Sequence, residues 1–171
     1  RDVSRILIVD DDDAFHEEIR KVLAPFGAEL THARTVDSGI MHCRSTRPDV
    51  VVLDILMPFH DGWRFLSILR QDPEIAATPV LIVTETEYDR RAEELGATSF
   101  FTKPLDAERR ERFLQLVSSI LGGRELRRVL IVDACHSYNA PTRRYLQSLK
   151  GPPPLAGGVL SEAEVGKPAG G

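Results

Sequence analysis

Apolar residues follow two patterns along this chain. Short continuous apolar runs, typical of strands buried on both faces, predict strands over residues 5–10, 49–54, 79–84 and 99–102. The short segment 28–33, after the first helix, is interpreted as the second strand. Between these runs, apolar residues recur every three or four positions, as in amphipathic helices. This spacing predicts helices over 63–70 and 113–121, and a first helix that starts near Phe15 and ends at Pro25. Residues 37–46 are also interpreted as a helix, and 89–95 as a short polar helix closed by Gly96.

Strands that alternate with helices five times predict a doubly wound α/β fold, in which a five-stranded parallel sheet is covered by helices on both faces. Ligands of such sheets bind beyond the carboxyl ends of the strands. Polar side chains follow four of the predicted strands at that edge. We expect one cluster to contain Asp10, Asp11, Asp54, Thr84 and Lys103.

Three carboxylates in one small site repel each other unless a cation joins them. Carboxylate oxygens suit Mg²⁺, which usually takes one or two carboxylates together with water and phosphate oxygens. An ammonium and a hydroxyl beside such a site resemble the parts used in phosphoryl transfer. A carboxylate can itself be the nucleophile and form an aspartyl phosphate.

As a set, these residues resemble the response regulator receiver domains of two-component signalling. The resemblance spans residues 4–121 and rests on four motifs in order: the pair Asp10-Asp11, the run LDILMP at 53–58 with Asp61-Gly62, Thr84, and Lys103-Pro104. It implies a flavodoxin-like α/β/α fold with strand order 2-1-3-4-5. It also implies a cis peptide before Pro104, which the residues alone do not decide.

The resemblance assigns the acceptor and the metal ligands. Asp54 would accept a phosphoryl group from a phosphohistidine. Asp10 and Asp11 would hold Mg²⁺ together with Asp54 and the backbone carbonyl of Leu56.

The remaining roles belong to three residues on the last two strands. Lys103 would pair with the phosphoryl oxygens, and Thr84 would move toward the phosphoryl group and donate to it. Phe100 stands at the position of an aromatic switch that turns inward on activation. The implied phosphodonor is a histidine kinase or a histidine phosphotransfer protein.

Two further acids follow the pair at the end of the first strand. Asp12 is interpreted as a solvated outer acid, and Asp13 as the N-cap or first-turn acid of the first helix, where the helix dipole favours negative charge.

Three departures from the family pattern carry expectations. Glu85 stands where a small residue is usual, which predicts slow phosphorylation by small-molecule donors. Leu56 cannot position a hydrolytic water, which predicts slow self-dephosphorylation. The segment from Thr84 to Lys103 is short by about one helical turn, so the fourth helix, expected within Tyr88–Leu95, is reduced, and the partner or dimer contacts usual on that face are in doubt.

The sequence after residue 121 predicts a second, incomplete unit. Residues 128–133 repeat residues 5–10, but Ala134 stands where Asp11 does in the first copy. We expect a linker at 122–127, a receiver-like β-α unit at 128–150 and an irregular Pro/Gly-rich tail at 151–171. The unit docks on the first domain, pairs with another chain, or is the truncated start of a second receiver, as in a tandem-receiver regulator or a hybrid histidine kinase.

Two other functions fit part of this pattern. A Mg²⁺-dependent phosphohydrolase also uses an aspartyl nucleophile, but such enzymes typically carry a second acid where this chain has Leu56. A pseudo-receiver that makes only protein contacts fits Ala134, whereas the complete set around Asp54 argues against it for the first domain. We therefore expect a signalling domain without catalytic turnover.

Composition and charge limit the partners and the cellular compartment that we expect for the chain. The 171 residues carry a net charge of −4 and no long basic run, which does not favour nucleic acid or an anionic membrane. No apolar stretch is long enough to span a bilayer. Cys43 and Cys135 form no zinc motif and are expected as free thiols in a reducing cytoplasm.

Overall fold

The computed structural model describes residues 3–58 and 62–122, together with the backbone of residues 131–133. The strands are β1 Arg5–Val9, β2 Glu29–Ala33, β3 Val50–Leu53, β4 Val80–Thr84, β5 Ser99–Thr102 and β6 Ile131–Asp133. The helices are α1 Asp13–Leu23, α2 Val36–Thr46, α3 Gly62–Gln71, α4 Arg91–Glu94 and α5 Ala107–Leu121. None of these described helices is long and apolar enough to cross a membrane.

The sheet has the order β2-β1-β3-β4-β5-β6, and every neighbouring pair is parallel. The first five strands confirm the expected α/β fold and the order 2-1-3-4-5. The ends of β1, β3, β4 and β5 lie close to the predicted ones because each of these strands is built on a short apolar run next to polar residues.

Helices cover both faces of the sheet. Alternate residues of the central strands, such as Leu7 and Val51, join one buried cluster with Ile40 of α2 and Phe65 of α3. On the opposite face, α1 and α5 pack together, and Ile19 and Phe113 are fully buried there. Because both faces are covered, β1, β3 and β4 are buried almost throughout.

Three helices depart from the prediction at their starts or in their length. Asp12 caps α1, because its carboxylate accepts the Ala14 N–H at 2.9 Å, and Asp13 lies in the first turn. Asp12 is exposed, as expected, but it is also the N-cap of α1. Helix α5 begins at Ala107, ahead of its apolar stripe, because its first turns are charged and Asp106 caps them. Helix α4 is a single turn, shorter than predicted.

A sixth strand was not expected in this sheet. Ile131, Val132 and Asp133 pair in parallel with Ser99, Phe100 and Phe101 of β5. They belong to the apolar run that the sequence assigns to the second receiver-like unit. The rest of that unit lies outside the described residues, so the boundaries proposed for the linker, the unit and the tail stay predictions.

Candidate functional site

The predicted polar cluster lies at the carboxyl edge of the sheet. Asp10 follows β1, Asp54 follows β3, Thr84 ends β4 and Lys103 follows β5. Backbone hydrogen bonds join these strand ends: the Asp54 N–H donates to Val9 O at 2.9 Å, and the Lys103 N–H donates to Thr84 O at 2.7 Å. The parallel register therefore brings residues from four separate parts of the sequence to one place.

Three carboxylates meet in this cluster. Asp10, Asp11 and Asp54 each offer an oxygen, and these oxygens lie within 4.8 Å of one another. Asp10 and Asp54 are 0% and 6% exposed, whereas Asp11 is exposed. The Lys103 ammonium lies 2.8 Å from Asp10 Oδ2 and 3.2 Å from Asp54 Oδ2. Among the described residues, this cluster therefore holds three carboxylates, and the Lys103 ammonium contacts two of them. The excess of negative charge suits a divalent cation.

Burial and pairing act in opposite directions on these charges. Burial raises the pKa of Asp10 above its usual range, although the Lys103 ammonium and the Asp12 N–H oppose that rise. For Lys103, burial favours the neutral amine, but the hydrogen bonds and charges of Asp10 and Asp54 outweigh it, so its pKa is raised. Lys103 is therefore held as an ammonium.

Backbone N–H groups orient the two buried carboxylates. Asp10 Oδ1 accepts the Asp12 N–H at 2.8 Å, and Asp54 Oδ1 accepts the Leu56 N–H at 2.9 Å. Each of these two carboxylates thus has one oxygen held by the turn that follows it and the other directed at Lys103. The part assigned to the Leu56 carbonyl stays a prediction.

Gly62 lets α3 begin directly against the turn that follows Asp54. A Cβ at this position would lie 2.4 Å from Ile55 Cα and 2.5 Å from Asp54 O. Because those are backbone atoms, no side chain fits there unless the turn itself moves. Residues 59–61, which include His60 and Asp61, lie outside the described residues.

The two predicted switch residues are fully buried beside the cluster. Within the described part of the chain, Thr84 Oγ1 has no hydrogen-bond partner. Phe100 is 0% exposed, and its ring meets the edge of Tyr88, with ring centroids 5.5 Å apart. Phe100 is therefore already inward in this structure, and Tyr88 covers it.

Two neighbouring expectations concern the loops after β4 and β5. Glu85 is exposed, next to the buried Thr84. The Lys103-Pro104 peptide is cis, as the resemblance implies.

Cys43 is a buried free thiol, and burial raises its pKa to about 12, so it is unreactive.

Phe15 is a member of this cluster that sequence reasoning missed. The Lys103 Nζ lies 3.9 Å from the centroid of the Phe15 ring, within the range of a cation–π interaction. The sequence places Phe15 on the apolar side of α1 and so predicts an ordinary core residue. Only the folded structure, in which Lys103 lies over the Phe15 ring, reveals the second contact.

Comparison with known proteins agrees with this architecture. The model of the response regulator receiver domain family matches residues 6–115. Protein PilH of Pseudomonas aeruginosa is 34% identical over 124 residues, which are 71% of this chain and all of PilH. The KDP operon transcriptional regulatory protein KdpE of Escherichia coli is 30% identical over 105 residues, which are 60% of this chain and 45% of KdpE.

A solved structure gives the same result. The signal receiver domain of a signal transduction histidine kinase from Syntrophus aciditrophicus has a TM-score of 0.63 at 29% identity, covering 73% of this chain and 95% of that one. The family match covers more than half of the chain, and PilH is matched over its full length. The chain therefore belongs to the response regulator receiver domain family.

Proposed function

We propose that this protein is the phosphoacceptor of a two-component phosphorelay and that Asp54 receives the phosphoryl group. The observation that carries the proposal is the contact of a single ammonium, Lys103, with two buried carboxylates, Asp10 and Asp54, at the edge of the sheet. Receiver family membership supports it.

In the transfer step, the Asp54 carboxylate attacks the phosphorus of a phosphohistidine. A new O–P bond forms, the N–P bond breaks, and the imidazole nitrogen keeps the electron pair. The Leu56 N–H holds Asp54 Oδ1, which leaves Oδ2 as the attacking atom. Lys103 already contacts this oxygen, so it is placed to pair with the oxygens of the incoming phosphoryl group.

The acidic cluster fits Mg²⁺ by its donor chemistry, because it offers three carboxylates and Lys103 contacts only two of them. Asp10, Asp11, Asp54 and the Leu56 carbonyl would hold the ion. When bound, Mg²⁺ would neutralise charge on the transferring phosphoryl oxygens.

Thr84 and Phe100 are proposed as the residues that report phosphorylation. The Thr84 hydroxyl is buried and, among the described residues, lacks a partner, so a phosphoryl oxygen within reach would satisfy it. Movement of Thr84 would then change the packing of Phe100 and Tyr88, which already contact each other.

We further propose that the phosphorylated state is long-lived and that small donors act slowly. Leu56 offers no polar side chain to position a hydrolytic water, and the exposed Glu85 adds negative charge beside the site. Self-dephosphorylation would then be the only reaction besides acceptance, without turnover of an external substrate.

The proposed phosphodonor is a histidine kinase or a histidine phosphotransfer protein in the cytoplasm. The segment is proposed to contact proteins rather than nucleic acid or membrane, in agreement with its net charge of −4. A homodimer, or contact with a second receiver within a larger regulator or hybrid kinase, is part of the same proposal.

Intact-protein mass spectrometry tests the acceptor. The wild-type chain is incubated with Mg²⁺ and acetyl phosphate and, in parallel, with a phosphorylated histidine kinase, because Glu85 is expected to slow the small donor. We expect one added phosphoryl group on the wild-type chain. No such group should be added when Mg²⁺ is chelated before the reaction, or in the Asp54→Asn variant. Asp12→Asn is the matched control, because it also neutralises an acid of this edge while Asn keeps the helix cap.

An adduct that survives in Asp54→Asn would contradict the assignment of the acceptor. A folded wild-type chain that gains no adduct from either donor would instead favour a domain that makes protein contacts only.

A further inference from the structure

Two histidines stack beside the acidic cluster. His16, in α1, is 8% exposed, and His32, in β2, is exposed. Their ring centroids are 4.7 Å apart, and the two Nδ1 atoms are 2.8 Å apart. The Nε2 atom of His16 is hydrogen-bonded to the backbone carbonyl of Asp10.

These contacts decide which ring nitrogens carry hydrogen. A carbonyl oxygen only accepts, so His16 Nε2 must donate to Asp10 O. In a neutral imidazole the other nitrogen is then an acceptor, so His16 Nδ1 accepts from His32 Nδ1–H. The result is one directed chain of hydrogen bonds from His32 through His16 to Asp10.

The Asp10 carbonyl needs this partner because it lies between two elements. Asp10 is one residue beyond the last β1 residue in register with β2 and β3, and the first helical hydrogen bond of α1 goes to Asp12 O instead. A buried carbonyl without a donor would be costly. The imidazole of His16 supplies the donor.

With this bond, all four polar positions of Asp10 are held. Its N–H donates to Ala33 O at 3.0 Å, its carboxylate accepts from the Asp12 N–H and from Lys103, and its carbonyl accepts from His16. The carbonyl belongs to the peptide that joins Asp10 to Asp11, so fixing it fixes the relative direction of those two side chains.

We propose that His16, supported by His32, is a positioning residue that sets the Asp10-Asp11 peptide so that both carboxylates can bind one divalent cation. This inference rests on the proposed function, in which Asp10 and Asp11 are metal ligands. Partners that orient ligating groups in this way typically contribute tenfold or more to metal affinity.

Mg²⁺ titration of the full chain by calorimetry tests the proposal. In His16→Leu, which fills similar space without a donor, we expect the Kd for Mg²⁺ to rise about tenfold. In His16→Gln, the amide nitrogen can replace Nε2 as the donor, and we expect the Kd to stay within about threefold of wild type. His42→Leu, a histidine substitution in α2, is the control and should leave the Kd unchanged.

Nitrogen-15 NMR of the wild-type imidazoles gives a readout that does not depend on any variant. We expect His16 protonated at Nε2 and unprotonated at Nδ1, and His32 protonated at Nδ1. A His16 ring protonated at Nδ1 and not at Nε2 would overturn the directed chain.

The outcomes separate this inference from the proposed function. Mg²⁺ binding in wild type with an unchanged Kd in a folded His16→Leu would overturn the positioning role and leave the acceptor proposal intact. A folded wild-type chain that binds no Mg²⁺ would overturn both. Loss of affinity in His16→Leu with recovery in His16→Gln would support the proposed role.

Discussion

At the amino edge of the sheet, the Arg70 guanidinium donates to the carbonyls of Ala76, Thr78 and Gly96. At the carboxyl edge, the Lys103 ammonium contacts two carboxylates, and a third, that of Asp11, lies beside them. The first arrangement gives one cation several neutral acceptors, and the second leaves negative charge in excess. The comparison indicates that the amino edge contributes stability, whereas the carboxyl edge holds an arrangement that stability alone would not favour.

The largest difference between the two edges is expected when one carboxylate of the cluster at the carboxyl edge is neutralised. Asp54→Asn should abolish phosphoryl acceptance completely, because the amide is not a nucleophile, yet it should stabilise the chelated protein by relieving like-charge repulsion. We expect the unfolding midpoint in a chelator to rise by about 3 °C. Thermal denaturation followed by circular dichroism, beside the Asp12→Asn control, measures this rise. A lower midpoint would show that the carboxylate cluster is not a source of strain.

The opposite result is expected at the amino edge. Arg70→Met should lower the free energy of unfolding by about 2–3 kcal/mol, because three carbonyls lose their charged donor. Phosphoryl acceptance by the folded protein should not change. Urea denaturation measures the loss, and Arg44→Met is the matched control.

Arg44 makes an ion pair with Asp72 on the surface, so its loss should cost less than about 1 kcal/mol. Equal losses of unfolding free energy in Arg70→Met and Arg44→Met would contradict a special stabilising role of Arg70 at the amino edge.

A smaller effect is expected from the ring beneath Lys103. Phe15→Leu removes the cation–π contact, worth about 1 kcal/mol, while leaving the carboxylates in place. We expect the rate of phosphoryl acceptance to fall about fivefold, measured by mass spectrometry at fixed donor concentration. Ile19→Leu, another buried substitution on α1, should leave the rate unchanged, and an equal loss in that variant would point to general loosening of α1.

The smallest effect concerns pH. Partial burial of the His32 ring, together with the Arg20 and Arg34 guanidinium groups, lowers the pKa of His32 below its usual value of 6.5. At His32 the unfolded chain therefore binds a proton that the folded chain resists. The contribution of His32 to stability is fully present above pH 6.5 and is lost as the pH drops toward the folded pKa. The difference in unfolding free energy between pH 8 and pH 5.5 should be smaller in His32→Gln. An unchanged difference would contradict this linkage.

The sequence predicted the strands and the polar cluster at their carboxyl ends because both depend on local signals. A continuous apolar run followed by an acid, as at Val50–Leu53 and Asp54, marks a buried strand and its functional end together. The sixth strand was assigned to a separate unit, because a repeat of residues 5–10 does not reveal which sheet edge it joins.

The supporting contacts could not be predicted in the same way. Phe15 meets Lys103 from 88 positions away along the chain, and His16 meets His32 only because β2 lies beside β1. These contacts depend on the packed positions of neighbouring elements, which apolar periodicity does not encode. The helix cap at Asp12 was missed for a different reason, since any of four consecutive aspartates could have served.

Gly62 limits which substitutions this fold can accept. A Cβ there would press on the backbone of Asp54 and Ile55, so even the smallest change, Gly62→Ala, displaces the atoms that hold Asp54. In a library of all single substitutions selected for signalling, position 62 should tolerate no replacement, whereas the exposed position 12 should accept several. The absence of a side chain at Gly62 is thus as strongly constrained as the presence of one at Asp54.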